Sequence, residues 1–283
     1  MAAAIFGQNV SVAWLDAFQF LLEKGRDIPN LAVTIEHPLE ENARIRALLD
    51  RFIAAQRSQK PSHRVEPIST VANTIFPSAL YLPRLGPKAS AHLYEMSGLA
   101  RSVSRRRNRL GTYFERLVAW PKDGHAVNQL EKVVSRIKSA RARGRAKENS
   151  LEIGIAEPCD SEMPNDQNTA ALPIYSPGRD NGIMGFPCLS HISLSLVDGT
   201  LHMTALYRNH EFVRRAYGNY VGLGRLLGFI ANESGSEVGE LMCVSSHADP
   251  EIGHGSGFGA NALRRLLADC HAARADSSQS RGA

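Results

Sequence analysis

A chain of 283 residues with 43% hydrophobic and 22% charged content has the make-up of a soluble globular protein and can bury a substantial core. The formal charge of +5 is mild but uneven, gathering in Arg101–Arg109 and again in Lys132–Lys147; such runs are ordinarily solvated faces, so nucleic-acid contact is the lesser reading. Four cysteines without CxxC pairing fit a reducing compartment, and no run reaches the roughly 18 apolar residues of a membrane span, so a cytoplasmic protein without a membrane partner is expected.

Along the chain, Val12–Leu22 and Glu40–Ala55 carry helical spacing, with Ile45, Leu48, Leu49 and Phe52 on one face. Between them Leu31–Ile35 reads as a short strand ending at His37-Pro38. Ile68–Tyr81 is apolar, with Asn73 set inside it, and Ala126–Ala140 is an amphipathic helix. From Arg141 the composition turns polar, and a loop-like insertion near 141–180 is expected, with only Leu151–Ile155 strand-like. Ser190–Tyr207 alternates apolar and polar residues around Asp198-Gly199, a hairpin turn signal. Tyr220–Ala231 is apolar almost all round and predicts a buried helix, and Ala260–Ala268 predicts another. Residues from about Ala272 are expected to fray. The resulting expectation is a single α+β domain over 1–271, a mixed β-sheet packed against long helices, with a disordered tail at 272–283.

Several motifs have plain readings. Gly222-x-Gly224-x-x-x-Gly228 has the wrong spacing for a dinucleotide fingerprint and lies within the apolar helix, where close packing explains it. Gly253–Gly259 leads into a helix and could bind an anion at its N-terminus, but a flexible connector is the preferred reading. His191, His202 and His210 flank the hairpin without metal spacing. Taken singly, Cys188 is a structural thiol, Asn219 a helix cap and Arg208 a surface cation.

Taken together they suggest chemistry. Cys188 follows a proline at the start of a strand, Arg208 lies twenty positions on, and Asn219 eleven beyond that. A thiol, a fixed cation and an amide with one donor and one acceptor suit attack on a pyrimidine nucleotide. Cys188 would be the nucleophile, Arg208 would hold phosphate and Asn219 would read the base edge. One geometric condition applies. In a regular hairpin closed by Asp198-Gly199, Leu189 faces Arg208 and Cys188 faces Asn209, so Cys188 and Arg208 point to opposite faces. A β-bulge between them is therefore predicted.

The stretch Pro187–Gly239 resembles the thymidylate synthase family, which includes the pyrimidine nucleotide hydroxymethylases. The likeness covers the Pro-Cys element, the Asp-Gly hairpin, Leu206-Tyr207-Arg208, Asn219 before an apolar helix and Glu237-Val238-Gly239-Glu240. Upstream, Gly111-Thr112-Tyr113 and Ala119-Trp120-Pro121 look like the family's tyrosine loop and Ala-Trp-Pro run. The resemblance implies a thymidylate synthase-like fold dimerised back to back through its sheets. It also implies C5 methyl or hydroxymethyl transfer from 5,10-methylenetetrahydrofolate to a pyrimidine nucleoside monophosphate, through a cysteine adduct at C6. Tyr113 corresponds to the tyrosine that assists loss of the C5 proton, and a loose alignment sets Asn73 at the catalytic glutamate.

Departures are also visible. Leu189 stands where the family has histidine, Tyr207-Arg208-Asn209 replaces Gln-Arg-Ser, and Glu211 replaces an aspartate. The sugar-contacting pair falls on Asp249 and Glu251, or His247 takes the histidine role after a small gap. The N-terminal Arg-Thr-Gly loop is absent and the partner-donated arginines are not recognisable, though Arg141, Arg143 and Arg145 could substitute; the missing folate-closing tail, which would admit water, leans the expectation towards hydroxymethylation. The alternatives are methylation of dUMP and, from another class, a catalytically degenerate nucleotide- or RNA-binding protein.

Overall fold

The computed structural model describes residues 3–59, 65–104, 112–122, 125–144, 151–155, 188–253 and 257–279. β1 (Ala3–Asn9) passes directly into α1 (Val10–Lys24), because the Asn9 side chain accepts the Val12 N–H at 3.1 Å. Gly25, in the left-handed conformation at φ 62°, closes that helix. β2 (Ile28–His37), α2 (Ala43–Gln59), α3 (Ile68–Ile75), α4 (Ala89–Ser104) and α5 (Tyr113–Val118) follow. A short hairpin of β3 (Trp120–Lys122) and β4 (His125–Val127) precedes α6 (Gln129–Ala142) and β5 (Glu152–Gly154). β6 (Leu189–Val197), β7 (Thr200–Tyr207), β8 (His210–Glu211), α7 (Tyr217–Ser234), β9 (Glu237–Asp249) and α8 (Ala260–Gln279) complete the described chain.

The main sheet has the order β1-β2-β9-β7-β6-β5, with β8 added beside β9. β1 and β2 run parallel, as do β9 and β7, while the other neighbours on that path are antiparallel. The mixed sheet with helices matches the α+β expectation. Asp198 (φ 49°) and Gly199 (φ 85°) both take the positive φ of a type I′ turn, as the Asp-Gly pair predicts.

One sheet face is buried. Leu31, Val33 and Ile35 of β2, Met203, Ala205 and Tyr207 of β7, and Leu241, Cys243 and Ser245 of β9 all lie on it. The alternate residues remain open: Phe6 is 73% exposed, and Leu206 and Met242 are each 38% exposed. α7 lies across the buried face, contacting β7 and β9, with α1, α3 and α6 around it.

The glycines of α7 are packing positions, as their placement inside the helix implied. A Cβ on Gly222 would come within 2.8 Å of the Ala72 carbonyl oxygen, and one on Gly224 within 2.1 Å of the Pro38 carbonyl oxygen. These approaches seat the helix against α3 and against the turn after β2.

Three expectations change. Ala126 and Val127 pair with β3 instead of opening a helix, because Asn128 caps α6 by accepting the Glu131 N–H at 3.1 Å. The terminus expected to fray from Ala272 is helical to Gln279. Leu263, Leu266, Cys270 and Ala273 recur at helical spacing and are buried, and Arg274 pairs with Asp16 at 2.6 Å. The Gly253–Gly259 connector is tied at its ends: the Phe258 N–H donates to the Glu251 carbonyl at 2.7 Å, and the Gly253 N–H to that of Phe258. Most of the polar 141–180 stretch, Pro187, Gly111 and the arginine run from residue 105 onward lie outside the described residues. No helix among the described residues is long and apolar enough to cross a membrane.

Gly224→Ala should therefore cost about 1–3 kcal/mol through overpacking against immobile backbone. Gly259→Ala, with nothing within 4 Å of the added Cβ, should stay within about 0.5 kcal/mol of the parent. Urea denaturation of the two variants measures the contrast.

Candidate active site

The bulge that Cys188 and Arg208 require is present. Leu189 pairs with Tyr207, but His191 pairs with Leu206, so Ser190 is the extra residue on β6. The Ser190 hydroxyl donates to the Leu206 carbonyl at 3.0 Å and ties the bulge to β7. Cys188 thereby comes opposite Arg208, whose N–H donates to the Cys188 carbonyl at 2.8 Å. Facing positions on a ladder project to the same side, so the one-residue shift unites the thiol and the guanidinium. From the opposite direction, the Tyr113 hydroxyl accepts the N–H groups of Cys188 (3.2 Å) and Leu189 (3.4 Å). Tyr113 opens α5 just after its Thr112 cap, which holds the Glu115 N–H at 3.2 Å.

Burial pushes the Cys188 thiol up from its ordinary value, and the Glu211 carboxylate adds to the rise. Arg215 and then Arg208 act in the other direction. Glu211 and Arg215 form a half-exposed ion pair at 3.6 Å. Cys188 is thus held as a protonated thiol, with one negative and two positive side chains acting on it. Tyr113 is pushed up to about 12, chiefly by burial and then by Cys188, so it stays a neutral phenol.

Asn219 lies inside the first turn of α7 and does not cap it, since Ala216 is the cap position. It is 4% exposed, and its Nδ2 donates to His210 Nε2 at 3.0 Å. His210 Nδ1 meets the Ser245 hydroxyl at 2.9 Å. The imidazole stacks flat on Tyr207, with centroids 4.2 Å apart and an interplanar angle of 1°. Burial lowers its pKa to about 3, so it is neutral at physiological pH.

Asn209 and His247 meet each other. His247 Nδ1 lies 2.7 Å from Asn209 Oδ1, and His247 Nε2 lies 2.9 Å from Asp27 Oδ2 at the entrance to β2. Asn73 is placed elsewhere. It sits on the exposed side of α3, where its Oδ1 accepts from Arg225 at 3.3 Å, so it joins neither Cys188 nor Tyr113. The alignment that set it at a catalytic glutamate matched residues across a segment without fixed spacing. Glu251 is likewise withdrawn from any sugar-contacting role. Its carboxylate is buried, accepting the N–H groups of Val213 (2.6 Å) and Arg214 (2.8 Å) and pairing with the Arg214 guanidinium.

Two contributors escaped the sequence reading. His210 was weighed only as a metal ligand, although it stands nine residues before Asn219. Arg215 lies four residues after Glu211 and four before Asn219, a spacing that could have flagged it.

Comparisons with known proteins agree with the motifs. The chain is 26% identical over 137 residues to a protein of Methanosarcina acetivorans, covering 48% of this chain and 51% of that one. It is 28% identical over 138 residues to one of Methanococcoides burtonii, with the same coverage, 48% and 51%. It is 32% identical over 80 residues to one of Methanothermobacter thermautotrophicus, covering 28% and 36%. All three carry the name "Putative thymidylate synthase". The chain spans about half the length of these relatives or less. No family model matches it. The fold is a mixed α+β sheet that sets a cysteine opposite an arginine, with a buried asparagine nearby. Over the matched residues the chain is similar, at 26–32% identity, to proteins named for the thymidylate synthase family.

The charges around Cys188 make its reactivity predictable. Glu211→Gln should speed alkylation of Cys188 by iodoacetamide at neutral pH several-fold, and Arg215→Gln should slow it. Peptide mass spectrometry resolves Cys188 from buried Cys243 and Cys270.

His210 also makes stability depend on pH. Its folded value of about 3 lies below the unfolded value near 6.5, so its contribution is complete above ~6.5 and is lost as pH falls towards 3. The slope from this one group is ~1.4 kcal/mol per pH unit. Denaturant titrations between pH 6.5 and 4 should show that component in the parent and lack it in His210→Gln.

Proposed function

We propose that the protein transfers a one-carbon unit to C5 of a pyrimidine nucleoside monophosphate through a covalent adduct of Cys188 at C6. The observation that carries this reading is the Ser190 bulge, which sets a half-buried cysteine opposite an arginine, with Tyr113 on the cysteine's own N–H. The thiol loses its proton and the thiolate adds to C6, leaving C5 as an enolate carbon. 5,10-Methylenetetrahydrofolate, in this reading, would supply the methylene carbon to which C5 bonds; loss of the C5 proton would then release the folate nitrogen and leave an exocyclic methylene at C5 with Cys188 still bound at C6. Addition of water at that carbon would give the hydroxymethyl product and addition of hydride the methyl product, and in either case the C5 carbanion so formed would expel Cys188 and restore the C5–C6 double bond. No described residue is assigned to the pterin.

In this reading Arg208 binds the phosphate and Asn219 the base edge, while Asn209 and His247 together offer polar atoms suited to sugar hydroxyls. Asn73, bonded to Arg225, is given no role in this reading. Glu211 is the carboxylate whose charge acts on Cys188, opposing its ionisation.

The open sheet face supports a back-to-back homodimer. Phe6, Leu206 and Met242 are apolar and exposed on strands otherwise packed on their reverse side. Substituting Phe6 and Met242 together by aspartate should halve the mass measured by light scattering without loss of helical circular dichroism.

The activity is tested by tritium release from C5-labelled uridine, deoxyuridine, cytidine and deoxycytidine monophosphates in the presence of methylenetetrahydrofolate. Release from at least one, abolished by Cys188→Ala, is expected; no release from any would overturn the reading. Dihydrofolate absorbance accompanies methylation alone and separates the two products.

A further inference from the structure

Three elements converge on one imidazole. His210 comes from β8, Asn219 from the first turn of α7 and Ser245 from the middle of β9. All three are buried, and their side chains form an unbroken line: Ser245 Oγ to Nδ1 at 2.9 Å, then Nε2 to the Asn219 amide at 3.0 Å. The ring cannot swing out of that line. Tyr207 covers one face in parallel at 4.2 Å, and Tyr220 and Phe212 close on it edgewise at 5.7 and 5.9 Å. Nothing in the family likeness assigns a role to this histidine, and its surroundings exclude the solvent that a surface histidine would need.

An asparagine amide is planar and can rotate by half a turn, which exchanges its donor and acceptor. A free amide would present its two groups to a base edge in either order and lose part of its binding energy in being ordered. Against His210 that freedom is removed. One amide N–H is committed to the imidazole, and the carbonyl oxygen with the second N–H is left as a donor–acceptor pair in a fixed plane.

We infer that His210 is a positioning residue for base recognition, holding the Asn219 amide to read the N3 and C4 edge of a pyrimidine. The inference rests on the reading of Asn219 as the base-facing residue. It predicts that His210 acts on the base alone and leaves the phosphate end of the ligand untouched. The neutrality of the buried ring fits this task, because only a neutral imidazole keeps a lone pair at Nε2 for the amide.

The test compares two ligands, uridine or cytidine monophosphate (whichever the parent binds more tightly) and ribose 5-phosphate, by calorimetry on the intact protein. His210→Leu should weaken the nucleotide by roughly tenfold, the loss of one buried hydrogen bond, with ribose 5-phosphate unchanged. His210→Gln, which can still accept from the amide, should recover most of the loss. Ser245→Ala, which leaves the aromatic packing of the ring in place, should weaken the nucleotide a few-fold and serves if His210→Leu does not fold. Equal weakening of both ligands would make His210 a structural residue and overturn the inference, as would unchanged nucleotide binding. Failure of the parent itself to bind either nucleotide would instead overturn the function proposed above, and this inference with it.

Discussion

Glu251 leaves β9 in a left-handed conformation, φ 58°, a conformation uncommon for any residue but glycine. Its buried carboxylate accepts the N–H groups of Val213 and Arg214 and pairs with the Arg214 guanidinium. Those N–H groups belong to a π-helical turn, Phe212–Ala216, which joins β8 to α7 and could not satisfy them from within. The carboxylate thus fastens the exit of β9 to the entry of α7. The Arg214 guanidinium also lies 4.8 Å over the Phe258 ring, which draws in the strap closing back from Gly257. Removing one member of such a pair leaves a buried charge uncompensated, at a cost of about 3–5 kcal/mol. The angular position of Arg215 in the π-helical turn, and of Asn219 in the first turn of α7, is set by this clasp.

Within that frame the reactive group is shaped by a balance of charge. Burial and Glu211 hold Cys188 as a thiol, while Arg215 and Arg208 draw it towards ionisation. The two arginines differ in kind. Arg208 is placed by backbone pairing across the bulge, whereas Arg215 is half-exposed and paired with Glu211. An anion arriving at this corner would meet one cation just past the end of β7 and one on the π-helical turn, and it would compete with Glu211 for the second. Ionisation of the thiol is thereby linked to what occupies its surroundings.

Much of this was legible in the residues because local rules and long-range demands coincided. The Asp-Gly turn fixed the parity of β6 and β7, and that parity put Cys188 and Arg208 on opposite faces unless a residue was inserted; the structure inserts Ser190. The glycines of α7 were readable as packing because they broke a nucleotide-binding spacing inside an apolar helix. What escaped depended on partners distant in the chain. His210 acquires its part from Ser245, thirty-five residues on, and from the rings around it. Glu251 acquires its part from a π-helical turn that no periodicity announces. Asn73 was misplaced because nothing between it and Tyr113 fixes a register. The terminal helix was underestimated because its buried positions are small, Cys270 and Ala273 among them, and weak in pattern.

β9 is the strand on which these functions coincide. Alternate residues along it face opposite ways: Cys243 and Ser245 look inward to the Tyr207 and His210 rings, while Met242 lies on the open face. Only one peptide separates Ser245, in the line to His210 and Asn219, from the exposed Ser246. The sheet here is a single layer thick, and its backbone is shared. A substitution that shifts the strand to suit one side is felt on the other, so the buried line and the outer surface cannot be retuned independently. Any partner that settles on that open face presses, through one strand, on the histidine that orients Asn219.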